Sequence, residues 1–124
     1  RLFERSLVDL AVDVFRTADP DAKALVNQDL HGGNILSSVR EPWLVIDPKP
    51  LVGERELDAV GLLRNAAWNG GTHSVGRWLD VLAELGLDRE RARDWGVAHA
   101  LAWGWAEGGW TTESVNAARA IAAA

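Results

Sequence analysis

Val26-Asn27-Gln28-Asp29-Leu30-His31-Gly32-Gly33-Asn34-Ile35-Leu36 is the stretch that decides how this chain is read. An acid leaves a short apolar segment, a glycine pair follows, and an amide stands five positions after the acid. Ala24-Leu25-Val26 reads as a buried strand, and residues 28–34 read as a loop. Ile35-Leu36 and Trp43-Leu44-Val45-Ile46 read as the two arms of a hairpin that turns over residues 37–42. The second arm delivers Ile46-Asp47-Pro48, a further acid at a strand end where it can face the first loop. Gly32 and Gly33 remove side chains where that loop must turn tightly.

Asp29, Asn34 and Asp47 are therefore the candidate chemical centre. Their residue types suit phosphoryl transfer, in which a protein mainly positions groups and neutralises charge. A carboxylate at Asp29 can orient an attacking hydroxyl and take its proton. Mg²⁺ prefers hard oxygen ligands, and Asn34 offers a neutral one and Asp47 an anionic one. His31 reads as a structural residue of the loop. The competing reading is a transition-metal site of His31, Asp29 and Asp47, since imidazole and carboxylate bind many metals. Lys49 and Arg55 can pair phosphate or an internal acid.

Outward from this centre the pattern is helical. Apolar residues at Leu2, Phe3, Leu7, Leu10, Val14 and Phe15 make one face of a helix over 2–18, stopped by Asp19-Pro20-Asp21. Residues 47–53, with two prolines and a glycine, read as irregular. A helix over 58–68 ends at Asn69-Gly70-Gly71, and Ser74 caps the next, which runs to Leu85 and closes at Gly86. Asp88 starts a helix that continues to Glu107, Gly108-Gly109 breaks it, and Thr111 or Thr112 starts the last one. The class expected is α+β, mainly helical, with a small β hairpin. His99 lies between Val97 and Leu101 on an apolar helix and reads as a core or groove residue. The seven tryptophans, at 43, 68, 78, 95, 103, 105 and 110, read mostly as core.

The bulk numbers bound the alternatives. With 124 residues, 48% apolar and 25% charged, the chain is an ordinary globular domain that can bury one core. Its formal net charge of −5 argues against nucleic acid as the main partner. No cysteine is present, which removes disulfides and thiolate metal sites. No signal peptide or apolar run of membrane-spanning length is visible, so a cytoplasmic location is the expectation. The chain has no Met and starts at Arg1 inside an uncapped helical pattern, so it reads as a piece of something longer.

The run from Asp29 to Leu36 resembles the catalytic signature of aminoglycoside and choline-type kinases. The run Val45-Ile46-Asp47-Pro48-Lys49-Pro50-Leu51-Val52-Gly53-Glu54-Arg55-Glu56-Leu57-Asp58 is more specific. With Leu63-Arg64-Asn65, it resembles the streptomycin 6-phosphotransferase and hydroxyurea phosphotransferase family. The likeness is sharp over residues 26–65. It implies that residues 1–124 are the C-terminal lobe of a kinase-like fold, with the N-terminal ATP-binding lobe absent from this chain. It implies Asp29 as catalytic base, and Asn34 and Asp47 as holders of Mg²⁺ bridging the ATP phosphates. His31 would shape the loop, and Asp58 would hold it through bonds to backbone. ATP is the implied donor, and a hydroxyl-bearing antibiotic or related small molecule the implied acceptor. Trp103, Trp105 and Trp110, near Glu107, fall where the family places that acceptor.

Two departures stand out. The family pattern has His two positions before the catalytic Asp, and this chain has Asn27. No Gly-rich strand pair and no nucleotide-binding Lys precede Val26, so the chain alone is expected to be inactive. A degenerate remnant that binds a ligand or partner without transfer is the non-enzymatic alternative. A metal-dependent phosphohydrolase would need more metal ligands than residues 26–58 supply.

Overall fold

The computed structural model describes residues 5–124. Among the described residues four helices carry the mass of the domain: α1 (Arg5–Arg16), α2 (Val60–Glu84), α3 (Arg89–Trp103) and α4 (Thr112–Ala122). Six short strands are added: β1 (Ala24–Asn27), β2 (Ile35–Ser37), β3 (Trp43–Val45), β4 (Pro50–Gly53), β5 (Trp105–Ala106) and β6 (Gly109–Trp110). They form three separate antiparallel pairs, β1 with β4, β2 with β3, and β5 with β6. The class is α+β and mainly helical.

The central element is α3, which packs on α1, α2 and α4. Every residue from Trp95 to Leu101 is buried, which is why this segment, His99 apart, is apolar or small all round rather than one-sided. Leu63, Val75, Leu79, Val97 and Ile121 fill the space between these helices. Val14 and Ala11 bring α1 against α3, and Phe15 meets Trp95 edge-on at 5.4 Å. The Leu2 and Phe3 part of the expected first helix lies outside the described residues. Asp88 caps α3 as its spacing to Arg91 suggests, accepting from the Arg91 N–H at 2.9 Å. Thr111 caps α4.

Four expectations are corrected. Residues 50–53 are not irregular, because they form β4 and pair with β1 in the register Asn27↔Pro50 to Ala24↔Gly53. Pro50 is tolerated because it stands at the first position of a two-stranded ribbon. The helix expected over 58–68 does break at the glycines, but the helix that follows is not capped by Ser74. Gly71, at φ 62, ψ −159, absorbs the break in one residue, and the chain re-enters helix at once, so Ser74 starts nothing. Helix α3 ends at Trp103 rather than near Glu107. Glu107 (φ 50) and Gly108 (φ 80) form the two-residue turn of the β5–β6 hairpin, and two positive φ values are what such a turn needs. Of the seven tryptophans only Trp95 is core, and the other six keep 39–68% of their surface exposed. Their helical spacing marks position on a helix, not burial.

Candidate functional site

The loop between β1 and β2 is fixed from below by backbone bonds to side chains. Asp58, in the short 3-10 turn Arg55–Ala59, accepts the Asn27 N–H at 2.7 Å. The Asn27 side-chain oxygen accepts two N–H groups at 3.0 Å, one from Asp29 and one from Lys49. Asn27 thus ties the start of the loop to the segment that follows Asp47. A third tie runs from the Gln28 N–H to the Lys49 carbonyl at 3.0 Å.

Within the loop His31 turns its ring inward. Its Nδ1 accepts the Gly33 N–H at 3.1 Å, and Nε2 stands 3.5 Å from Asp29 Oδ1. Gly33 is needed for room, since a Cβ there would lie 2.9 Å from His31 Cε1. The φ of neither Gly32 nor Gly33 is left-handed, so close approach rather than turn angle is the reason for the glycine. Asn34 donates from Nδ2 to the Asp29 carbonyl at 2.9 Å and to Asp29 Oδ2 at 3.2 Å. Its own carbonyl accepts the Ile46 N–H at 2.8 Å. Asp47 is therefore one residue beyond a direct bond to Asn34 and two before a direct bond to Asn27. It holds φ 47, a left-handed angle that few non-glycine residues adopt and that is common at functional sites.

The structure thus brings Asp29, Asn34 and Asp47 onto one loop cluster, with His31 and Asp58 as its supports. The donor set suits a hard divalent cation. Asn34 spends only its NH₂ on Asp29, so its amide oxygen has no partner among the described residues. The exposed Asp47 carboxylate also has none. No trio of His, Asp or Glu is gathered into a metal cluster among the described residues, which counts against a His31, Asp29 and Asp47 transition-metal site.

Two residues of α2 do more than the sequence reading assigned them. Arg64 is buried, and its Nη2 donates to Asp29 Oδ1 at 2.7 Å. Its guanidinium lies between Trp68 (5.5 Å) and Trp103 (5.0 Å), and Nη1 reaches His99 Nδ1 at 3.4 Å. Gly61 lets α2 pass directly under the loop, because a Cβ there would fall 2.9 Å from Leu30 N and 3.0 Å from Asp29 Cα. An Arg six positions after Asp58 in a segment of Leu and Ala was the available signal for Arg64. Nothing local marks Gly61. His99 is buried as expected. Its pKa is lowered to about 4, first by burial and then by the charge of Arg64, so the ring is neutral at neutral pH.

A loop acid held by an arginine, an amide with a free oxygen and a second acid close by thus stand on one loop cluster. Sequence comparison supplies the family. The sequence model described as aminoglycoside/hydroxyurea antibiotic resistance kinase matches residues 7–114, and the chain belongs to that family. It is 44% identical over 92 residues to hydroxyurea phosphotransferase of Kitasatospora aureofaciens, covering 73% of this chain and 26% of that protein. It is 39% identical over 97 residues to streptomycin 6-kinase of Streptomyces glaucescens, covering 73% and 32%. With streptomycin 6-kinase of Streptomyces griseus the identity is 42% over 83 residues, covering 62% and 27%. The chain therefore spans about a quarter to a third of the length of these curated relatives. No solved structure gives a significant match.

Proposed function

We propose that the protein is an ATP-dependent phosphotransferase acting on a hydroxyl of an aminoglycoside-like antibiotic or related small molecule. In this reading the chain is the catalytic-loop lobe of a kinase-like fold, and a nucleotide-binding lobe completes the site. The supporting observation is the Asn34–Ile46 backbone bond, which sets Asp47 beside the loop that carries Asp29 and Asn34.

Asp29 serves as the base. Arg64 and Asn34 fix its two oxygens, and each keeps a lone pair for the acceptor hydroxyl. As the acceptor oxygen bonds to the γ-phosphorus, its proton passes to Asp29 and the bond to ADP breaks. Asn34 Oδ1 and the Asp47 carboxylate would hold Mg²⁺, which would offset the phosphate charge. His31 and Asp58 act on the loop and not on substrate. Asn27 removes one argument for a degenerate remnant, since it ties the loop through two acceptor bonds in the place of the expected His.

The test is transfer from γ-labelled ATP, with Mg²⁺, to streptomycin and to hydroxyurea by the intact protein. Asp29→Asn should cut transfer about 10³-fold while the far-ultraviolet circular dichroism stays unchanged. Turnover near wild type in that variant refutes the assignment.

A further inference from the structure

His99 stands on α3 with 5% of the residue exposed, and its two nitrogens have opposite fates. Nδ1 faces Arg64 Nη1 at 3.4 Å. A guanidinium has only donors, so Nδ1 is the accepting nitrogen and the neutral ring carries its proton on Nε2. That Nε2–H is buried and has no hydrogen-bond partner among the described residues. Burying such a donor unpaired costs about 1–3 kcal/mol, and native structures rarely leave one without a purpose.

The same ring forms part of the wall of a cavity of about 260 Å³, bounded also by Phe15, Gln28, Leu51, Trp95 and Trp103. Gln28 immediately precedes Asp29, so this cavity abuts the catalytic loop. Most of its wall is flat aromatic or aliphatic surface. Trp103 lies over His99 with ring centres 4.1 Å apart and 46% of its surface exposed. It also borders a second cavity of about 310 Å³, lined by Arg64, Trp68 and Ser114. Trp68, Trp95 and Trp110 are each tethered by an indole N–H bond, and Trp103 has none among the described residues.

We infer that His99, Trp95 and Trp103 form a subsite for a neutral, oxygen-bearing ring or carbonyl group of the acceptor molecule. The Nε2–H donates to that oxygen, and Trp103 moves aside to admit it. A cationic group is excluded on two grounds: it offers no lone pair to Nε2, and it would approach the buried Arg64 charge. The subsite thus selects the uncharged face of an acceptor, and its role as an acceptor subsite rests on the phosphotransferase reading above.

The experiment is side-chain ¹⁵N NMR of the three histidines in the intact protein, titrated with 2-piperidinone and, separately, with piperidinium. The first is a neutral lactam with a carbonyl acceptor, and the second is a ring of the same size that is cationic and has no acceptor. The expected result is a saturable shift of the His99 Nε2–H resonance with the lactam and none with the cation. His99→Phe, which keeps the ring but loses the donor, should weaken lactam binding about tenfold. The wild-type titration decides the matter even if that variant does not fold. An unmoved resonance, an equal response to both probes, or a resonance coupled only to a trapped water overturns the inference. The titration needs no ATP and no turnover. Its failure beside intact Asp29-dependent transfer removes the subsite alone, whereas loss of Asp29 dependence removes the kinase reading.

Discussion

Two arginine–carboxylate pairs of equal length hold this domain together, and they are built to opposite ends. Arg91 Nε meets Glu54 Oε1 at 2.7 Å, and Arg64 Nη2 meets Asp29 Oδ1 at 2.7 Å. Around Glu54 nearly everything is used. Arg91 also donates from Nη2 at 2.9 Å, the Asp19 N–H at 2.8 Å and the Trp95 indole at 3.1 Å. Arg91 goes on to Thr17 and to the Val14 carbonyl, so one pair staples the end of α1, the start of the 3-10 turn and α3. Its carboxyl is lowered to about 2, chiefly by the Arg91 hydrogen bonds. Around Asp29, by contrast, atoms are left over: the Asn34 amide oxygen, the Asp47 carboxylate and His99 Nε2. The first pair is saturated and acts as structure, whereas the second is ringed by unpaired polar atoms and cavities, which is the pattern the proposed function draws on.

Breaking each pair should therefore give opposite phenotypes. Asp29→Asn should reduce phosphate transfer about 10³-fold, in the range general bases supply, with little change in melting temperature. Glu54→Ala should do the reverse, lowering stability by about 3 kcal/mol in denaturant titration because it strands Arg91 half-buried. Residual transfer by the folded fraction should remain near wild type. If Glu54→Ala abolishes turnover in fully folded protein, the division between the two pairs fails.

Gly61→Ala should fall between these. The new Cβ has only loop backbone to push against, so a cost of about 1–3 kcal/mol is expected together with misplacement of Asp29. Both a melting curve and the transfer rate would register it, and an effect on stability alone would mean that α2 rather than the loop gives way.

Acid should separate the two regions in order. Folded His99 has its pKa lowered from 6.5 to about 4, so its neutral form contributes stability that is complete above about pH 6.5 and is lost as pH falls toward 4. Folded Glu54 is lowered from 4.5 to about 2, so its share is complete above about pH 4.5 and is lost toward 2. Stability against pH should decline in two stages, and His99→Phe should erase only the upper one. The smallest effect expected is for Asn27→Ala, about 1–2 kcal/mol for two lost acceptor bonds. Full transfer by that variant would show that Asp58 and the Gln28–Lys49 backbone bond suffice to hold the loop.

Much of the site was legible because its residues are close in the chain. The span from Asp29 to Asn34, the hairpin that returns Asp47 and the Asp58 that follows within a few turns are local, and local spacing dictates local geometry. The caps at Asp88 and Thr111 were legible for the same reason. Misreadings came where distant packing decides. A strand at Pro50–Gly53 exists only because β1 lies beside it. Tryptophan exposure likewise depends on which helix face meets a neighbour, which spacing along one helix does not record.

By itself, then, the sequence determined the class of the domain, the loop acids and their likeness to a kinase family. Only the tertiary structure decided that Arg64, 35 residues from Asp29, would be its partner, that His99 would stand next in line with an unpaired N–H, and that Gly61 would leave room for the loop above α2. The reason is physical. Hydrogen-bond spacing within a loop follows from bond lengths along the chain, whereas the pairing of groups on separate helices follows from how close-packed cores set those helices side by side.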